Sequence, residues 1–371
     1  MSAVNPASAV NPALPSSSPE TWPKAVTMSD DERVAIVRRV LGTVDTSIAP
    51  FAEGIRRVVF ERHDRFVRPL IDKHWPESLN ERAGKKLRFL TCNLYATAPY
   101  TVLFSAPNPP WPVALSRVVG GSLRLGPTVL SGLAGLTARA VARLLPEDTE
   151  RRILVTAAFI ATIDHVYDHC LDGVEPAERG RRMHGLLDGT WAPDDSTPYA
   201  GAFRLVHALH EAMGEGVTNE DDRVQLARAL TSLHDYIDAE VKAMTGVKDP
   251  SERAWRMAGV RGTIDGLIYP VWRFCGEKAR QWMYDVSLFV QVLDDFLDAE
   301  KDAHDIRPTP VLSGQWDEHT LQEIWTRTVD GIASLAKDSG INDANWQHLV
   351  TETYRMMAIE TAEAMGAGPA A

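Results

Sequence analysis

The feature that most constrains this chain is a helical spacing of apolar residues that recurs from about residue 29 onward. Apolar side chains return every three or four positions, whereas the strict alternation of a half-buried strand is hard to find. Ser29 precedes an acidic first turn and Thr218 precedes the run NEDD, as expected where helices begin. The pattern predicts an all-α fold. The segments with this spacing are 30–44, 54–71, 151–167, 221–244, 281–302 and 321–337.

The first residues differ in composition from the rest of the chain. They are rich in Pro, Ser and Ala, repeat the string SAVNPA, and lack the basic and apolar regions of a signal peptide. We expect a disordered tail at 1–28 and one helical domain at 29–371, because no linker or charge run divides the remainder. Residues 89–116 and 125–138 are free of charge, but proline interrupts the first and the second is too short to span a bilayer. We therefore expect no transmembrane segment.

Overall composition narrows the class of protein. The chain is 44% apolar with a formal net charge of −11, which is typical of globular proteins and disfavours nucleic acid as a partner. Cys92, Cys170 and Cys275 lie far apart without a C-x-x-C pair, so neither a disulfide framework nor a cysteine zinc site is indicated. A reducing, cytoplasmic location fits this cysteine usage best.

Acidic residues are concentrated in QVLDDFLDAEKD, residues 291–302. On a helix, residues four apart share one strip, and Asp295 points further away from it. A solvated face is one explanation, but like charges at this spacing repel, and a plain surface would carry more lysine than Lys301 alone. Carboxylates on one rigid face are also ligands that Mg²⁺ prefers. The strip comprises Gln291, Asp294, Asp298 and Asp302.

A second acidic set follows an apolar helical segment about 130 residues earlier. Asp164, Asp168 and Asp172 repeat the spacing of four. The repetition favours a metal site over a solvated face, because two antiparallel helices could hold metal ions against a diphosphate from opposite sides. His165 and His169 also lie four apart, but the absence of an H-E-x-x-H order argues against zinc.

Both acidic segments resemble motifs of the trans-prenyl diphosphate synthases, within the class I isoprenoid and terpene synthase superfamily. FVQVLDDFLD is similar to the second motif, F-Q-x-x-D-D-x-x-D, with the Phe one residue early. DHVYD is similar to the first motif, D-D-x-x-D, except that His165 replaces the second aspartate. The outer aspartates, which do most of the metal binding in the family, are retained. The resemblance covers roughly residues 80–312 and implies catalytic metal ligands at Asp164, Asp168, Asp294 and Asp298, with Asp302 as a further ligand.

Basic segments resemble the parts of the family that bind diphosphate. AGKKLRFL is similar to its G-K-x-x-R segment, and ERGRRMHG follows the first motif as its arginine pair does, although later along the chain. RGTIDG is a loose counterpart of its K-T segment and resembles the sensor-arginine segment of terpene cyclases, and DIRPTPVL is similar to a shortened cation-bearing loop. The implied diphosphate-binding residues are Lys85, Arg88, Arg179, Arg182, Arg261, Gln291 and Arg307.

The resemblance also implies a fold and a reaction. The fold would be a single-domain helical bundle around a deep apolar cavity, with the aspartates at its mouth. Mg²⁺, about three ions with bound diphosphate, would assist the ionisation of an allylic prenyl diphosphate. A prenyl diphosphate synthase would then condense the cation with isopentenyl diphosphate. Phe159 and Ile160, just before the first motif, would form the cavity floor and favour a product of about 15 to 20 carbon atoms.

Other functions remain open on the same scaffold. Asp294, Asp298 and Asp302 have the spacing of the second metal motif of terpene cyclases, N-x-x-x-S-x-x-x-E. A cyclase, or a prenyltransferase with another acceptor, is therefore the alternative enzyme. A non-catalytic isoprenoid-binding or partner subunit is the alternative from a different class, although such relatives usually lose the outer aspartates. Family analogy implies a homodimer.

Overall fold

The structure is a computed structural model that describes most of the helical part of the chain. It describes residues 27–43, 45–80, 147–171, 173–194, 196–197, 199–245, 252–273, 275–304 and 309–338, with shorter stretches and single positions within 84–95, 132–136 and 344–360. Within these residues the chain is helical and contains no strand, which confirms the all-α prediction. The expected tail at 1–28 lies outside the described residues except for its last two positions.

Each segment with helical spacing overlaps one or two of the described helices, but three of the described helices had no predicted segment. The described helices are α1 (Asp30–Leu41), α2 (Ala49–Phe66), α3 (Arg68–His74), α4 (Glu147–His165), α5 (Pro176–Leu187), α6 (Ala200–Gly214), α7 (Glu220–Thr245), α8 (Glu252–Leu267), α9 (Glu277–Leu297), α10 (Ala299–His304) and α11 (Glu318–Asp338). No helix among them is long and apolar enough to cross a membrane.

Local hydrogen bonds explain where two of the helices begin. Ser29 and Glu32 form a reciprocal capping box at α1, with the Ser29 N–H donating to Glu32 Oε2 at 2.8 Å. The predicted start at Thr218 is displaced by one residue, because Asn219 caps α7 by accepting from the Asp222 N–H at 2.8 Å. Both starts therefore depend on side chains within one turn of the helix.

Helix α4 lies at the centre of the molecule. Every residue from Thr149 to Ile163 except Arg151 is buried, and the helix packs against α2, α6 and α8. Helix α7 runs along α8 and also contacts α5, while α9 packs against α8, α11 and α1. One hydrophobic cluster surrounds α4, and a second joins α9 to α1 and α11. Helix α8, which contacts α4, α7 and α9, therefore connects the two halves of the bundle.

Candidate functional site

The two aspartate-rich segments come together at one cleft of about 60 Å³. Helix α4 ends on one side of it and α9 ends on the other. The antiparallel arrangement considered from the sequence is therefore wrong, because side-by-side antiparallel helices would bring the end of one to the beginning of the other. We call this site the acidic cleft. Its lining residues are Asp164, Tyr167, Asp168, His169, Tyr236, Glu240, Met244, Arg256, Gln291, Asp294, Asp295, Asp298, Lys301 and Asp302.

The α4 side of the cleft is shaped by a widened helical turn. Regular helix stops at His165, and Val166–Cys170 form a π turn in which the Leu171 N–H donates to the Val166 carbonyl at 3.1 Å. Such turns occur often at functional sites. The turn brings the consecutive residues Asp168 and His169 to the same cleft. The spacing of four therefore does not continue on regular helix, since Asp168 lies in the π turn, and Asp172 lies outside the described residues.

On the α9 side, Asp295 is the buried member of the acidic set. It is 3% exposed, and Gln291 Nε2 donates to its Oδ1 at 2.9 Å. Burial raises the pKa of Asp295 to about 7, although the nearby Arg256 guanidinium opposes this shift. The expectation that Asp295 points away from the site is wrong, because the buried side of α9 also faces the cleft.

Asp302 joins the cleft from α10, directly after α9. The chain stays nearly helical across the junction, since the Asp302 N–H donates to the Asp298 carbonyl at 2.8 Å. Burial, followed by the charges of Asp295, Asp294 and Asp298, raises the pKa of Asp302 to about 8. The strip predicted from the sequence therefore does converge, and its carboxylates are close enough to repel one another.

Arg256, on α8, is a cleft residue that no sequence motif identified. Its Nη1 atom donates to Glu240 Oε2 at 2.6 Å, and its Nη2 atom lies 3.7 Å from Asp295 Oδ1. Lys301 is the other cation of the lining and lies 3.5 Å from Asp298 Oδ2. Among the lining residues that the structure describes, these two cations face seven carboxylates, so negative charge is in excess there. The sequence offered no local signal for Arg256, because its partners Glu240 and Asp295 lie on other helices.

Two tyrosines position groups at the cleft. The Tyr236 hydroxyl donates to Asp164 Oδ1 at 3.1 Å, and burial followed by the Asp164 charge raises its pKa well above the usual range. The Tyr167 hydroxyl lies 3.1 Å from the Met244 sulfur. Helix α7 therefore supports the α4 side of the cleft through both of these tyrosines.

Two of the predicted diphosphate-binding cations, Arg88 and Arg182, have partners outside the acidic cleft. Arg88 Nη2 donates to Asp64 Oδ2 at 2.7 Å and its guanidinium lies 4.4 Å from the Phe60 ring centroid. Arg182 Nε donates to Glu178 Oε1 at 2.6 Å. None of Arg88, Arg179, Arg182 and Arg261 lines the acidic cleft, whereas Gln291 does. Lys85 and Arg307 lie outside the described residues.

Phe159 and Ile160, the expected cavity floor, lie in the hydrophobic core. Both are buried in the cluster around α4, and the Phe159 ring stacks on His210 with centroids 5.8 Å apart. Phe159 precedes Asp164 by five residues and Ile160 by four on the same helix, which places them about 6 to 8 Å from it along the axis. Neither residue lines the acidic cleft.

The donor set fits Mg²⁺ that shares its ligands with a phosphate. No three His, Cys, Asp or Glu side chains among the described residues are arranged to hold a metal ion by themselves. Mg²⁺ is commonly bound by one or two carboxylates and completes its shell with water and substrate phosphate oxygens. The described lining residues offer oxygen donors almost throughout, and His169 is the one imidazole among them. Zinc, which prefers nitrogen and sulfur, fits this lining poorly.

Comparisons of the chain with protein-family models, with curated proteins and with solved structures gave no match. Functional inference therefore depends on the residues of the acidic cleft.

Proposed function

We propose that this protein is a Mg²⁺-dependent enzyme that ionises an allylic prenyl diphosphate at the acidic cleft. The observation that carries the proposal is the convergence on one cleft of two aspartate sets about 130 residues apart in the sequence. Solvated helix faces would have no reason to converge, because mutual repulsion of their carboxylates costs free energy. That cost is offset when cations bind between them.

The cleft residues divide into those that would hold metal and those that would hold diphosphate. Asp164 and Asp168 on one side, and Asp294, Asp298 and Asp302 on the other, would hold about three Mg²⁺ ions. Bound Mg²⁺ would supply the positive charge that stabilises a leaving diphosphate. Arg256 would donate hydrogen bonds to the diphosphate, since its planar guanidinium suits phosphate oxygens. Tyr236 holds Asp164, and Gln291 holds Asp295, so neither carboxylate has to reorganise during ionisation.

The acceptor of the allylic cation decides the reaction class. Condensation with isopentenyl diphosphate, giving a short prenyl diphosphate, is the first candidate because of the motif resemblance. Cyclisation is the second, and the pairing of Arg88 with Asp64 favours it, since Arg88 would be required for the second diphosphate. The position of Asp302 in the cleft also favours a cyclase-like triad with Asp294 and Asp298. The remaining candidate function is a non-catalytic binding subunit. The homodimer that family analogy implies is also a proposal.

Paired incubations test the proposal. The full chain is incubated with Mg²⁺ and geranyl or farnesyl diphosphate, with and without isopentenyl diphosphate, and products are identified by mass spectrometry. We expect pyrophosphate release that EDTA abolishes. A longer prenyl diphosphate that requires isopentenyl diphosphate supports the synthase, whereas a hydrocarbon or alcohol formed without it supports the cyclase.

Two single substitutions test the role of the carboxylates. We expect Asp164→Ala and Asp298→Ala each to lower turnover by about 100-fold or more, the order seen when one group that stabilises transition-state charge is removed. Asp330→Ala, at an exposed position on α11, is the matched control and should keep turnover. Full activity in both cleft variants would refute the metal-site proposal, and inactivity of the unaltered chain towards every allylic substrate would favour the binding subunit.

A further inference from the structure

Arg179, on α5, packs against the π turn that carries Asp168 into the acidic cleft. Its side chain is almost wholly buried, with the residue 3% exposed. The guanidinium carbon lies 5.2 Å from the Tyr167 ring centroid, and Nη1 donates to the Tyr167 carbonyl oxygen at 3.1 Å. Nη2 lies 3.5 Å from the Val174 carbonyl oxygen. A single side chain therefore connects the turn with the segment that follows it.

The backbone of the turn explains why a donor is needed there. In a regular helix the Leu171 N–H would donate to the Tyr167 carbonyl, four residues earlier. Here it donates to Val166, five residues earlier, at 3.1 Å. The Tyr167 carbonyl loses that partner, and a buried carbonyl without a donor is costly. Arg179 supplies a donor at this position.

A second set of contacts fixes the turn from α7. The Tyr167 hydroxyl lies 3.1 Å from the Met244 sulfur, and Arg179 Nη1 lies 3.7 Å from the same atom. The ring and the carbonyl of Tyr167, the residue before Asp168, are thereby both held. Rotation of the turn would break these contacts together.

We propose that Arg179 is a positioning residue that holds the π turn in the shape that presents Asp168 to the cleft. This differs from the diphosphate contact that the resemblance implied for it, because the guanidinium is buried behind Tyr167 and does not line the cleft. The claim that Arg179 holds the π turn depends only on the contacts described above. The claim that this affects metal binding at Asp168 rests on the proposed function.

Two substitutions distinguish a positioning role of Arg179, which depends on the shape of its side chain, from a phosphate-binding role, which depends on its charge. Arg179→Lys keeps the charge but loses the planar fork that reaches two carbonyls and stacks on a ring. If the role is positioning, Arg179→Lys and Arg179→Met should behave alike. If Arg179 bound phosphate by its charge, Arg179→Lys would keep most of the affinity and only Arg179→Met would lose it. Arg181, an exposed neighbour on α5 that pairs with Glu178, provides matched controls as Arg181→Lys and Arg181→Met.

Hydrogen–deuterium exchange tests, without substrate, whether Arg179 holds the π turn. We expect amide exchange in residues 166–171 to rise by about tenfold in both Arg179 variants, because the turn opens locally more often. Exchange in α11 should stay as in the unaltered chain, and both Arg181 variants should match that chain throughout. Exchange in 166–171 that is unchanged in Arg179→Lys would overturn the proposal. If neither Arg179 variant folds, the residue serves overall stability and the proposal also fails.

Mg²⁺ titration in the presence of inorganic pyrophosphate tests the effect on metal binding. We expect the Mg²⁺ concentration for half-maximal thermal stabilisation to rise by about tenfold in both Arg179 variants, as is common when the group that orients a metal ligand is lost. A titration unchanged in both would overturn this part. Absence of Mg²⁺-dependent stabilisation in the unaltered chain would instead contradict the proposed function, and the exchange result would still stand.

Discussion

The charged residues of the acidic cleft differ in whether they contribute to stability or to ligand binding. Arg256 is nearly enclosed between Glu240 and Asp295, and removal of a cation from such a group leaves two buried carboxylates without compensation. Asp298, by contrast, is partly exposed, and Lys301, whose Nζ atom lies 3.5 Å from Asp298 Oδ2, is on the surface. Arg256 therefore governs stability in addition to its proposed contact with the diphosphate, whereas Asp298 is available to a ligand.

Arg256→Gln should lower the free energy of unfolding by about 3 kcal/mol, the usual cost of breaking a buried ion pair from one side. Urea denaturation monitored by circular dichroism measures this change. The double variant Arg256→Gln with Glu240→Gln should recover part of the loss, because it removes one of the uncompensated charges. Arg261→Gln, at an exposed position on the same helix, is the control and should stay within about 0.5 kcal/mol of the unaltered chain. Equal losses in the two single variants would contradict the buried-pair explanation.

His63, on α2, makes stability depend on pH. Burial lowers its pKa below the ordinary value of 6.5, the Arg88 and Arg68 charges act in the same direction, and Asp64 opposes them. Its contribution is therefore fully present above about pH 6.5 and is lost as pH falls through the lower pKa of the folded state. The loss approaches ~1.4 kcal/mol per pH unit for one group.

The measurement is the free energy of unfolding between pH 7.5 and 5. His63→Gln should flatten this dependence, whatever its effect on stability at pH 7.5, because glutamine does not titrate. His319→Gln, at an exposed position on α11, should leave the slope as it is. A slope that is identical in all three proteins would refute the assignment to His63.

At the scale of helices, the close approach of α7 and α8 places two of the cleft residues. A Cβ atom at Gly262 would lie 2.5 Å from the Ser232 carbonyl oxygen and 3.1 Å from the Tyr236 N atom. Only a residue without a side chain allows the two backbones to come this close. Tyr236 on α7 and Arg256 on α8 reach the same cleft because of this contact.

Gly262→Ala should destabilise the fold by about 1 to 3 kcal/mol, because the backbone oxygen of Ser232 cannot yield as a side chain would. Gly259→Ala is the matched comparison, since a Cβ atom there would have its nearest contact at 3.4 Å, to Glu240 Oε1. We expect Gly259→Ala to be neutral or to stabilise by up to about 1 kcal/mol, given the better helix propensity of alanine. Differential scanning calorimetry of the two variants checks the order, and a Gly262→Ala variant as stable as Gly259→Ala would contradict it.

At the scale of the whole molecule, the acidic cleft lies where both halves of the bundle meet. Helix α4 belongs to one hydrophobic cluster and the end of α9 to the other, while α8 contacts both helices. A ligand that bridges the two aspartate sets would therefore also join the two clusters. Its binding should stabilise the molecule as a unit.

Mg²⁺ with inorganic pyrophosphate should raise the melting temperature by about 4 °C or more, since a ligand at 100 times its Kd adds ~2.7 kcal/mol to stability. Mg²⁺ or pyrophosphate alone should have a smaller effect, because the proposed site is completed by both. Thermal scanning of the unaltered chain, Asp164→Ala, Asp298→Ala and the control Asp330→Ala checks this. Equal shifts in all four proteins would place the binding elsewhere.

Features of this chain with a local signal could be predicted from the sequence, whereas those that depend on distant partners could not. The spacing of Asp294, Asp298 and Asp302 depends only on helix geometry, so the strip could be predicted, and it does line one cleft. The placement of Asp295 could not be predicted, because the angle around a helix does not reveal which neighbour covers that side. The partner of Arg88 could not be predicted from its motif either, because Asp64 lies beside Arg88 only in the folded chain.

The amino-acid sequence by itself determined the helical class and the acids at intervals of four, because both follow from periodicity within one helix. Only the tertiary structure decided that α4 and α9 end at the same cleft, that a π turn presents Asp168, and that Arg256 is a cation of that cleft. These features arise from packing between helices far apart in the sequence, such as the close contact of α7 with α8 at Gly262. No periodic pattern within a single segment encodes such contacts.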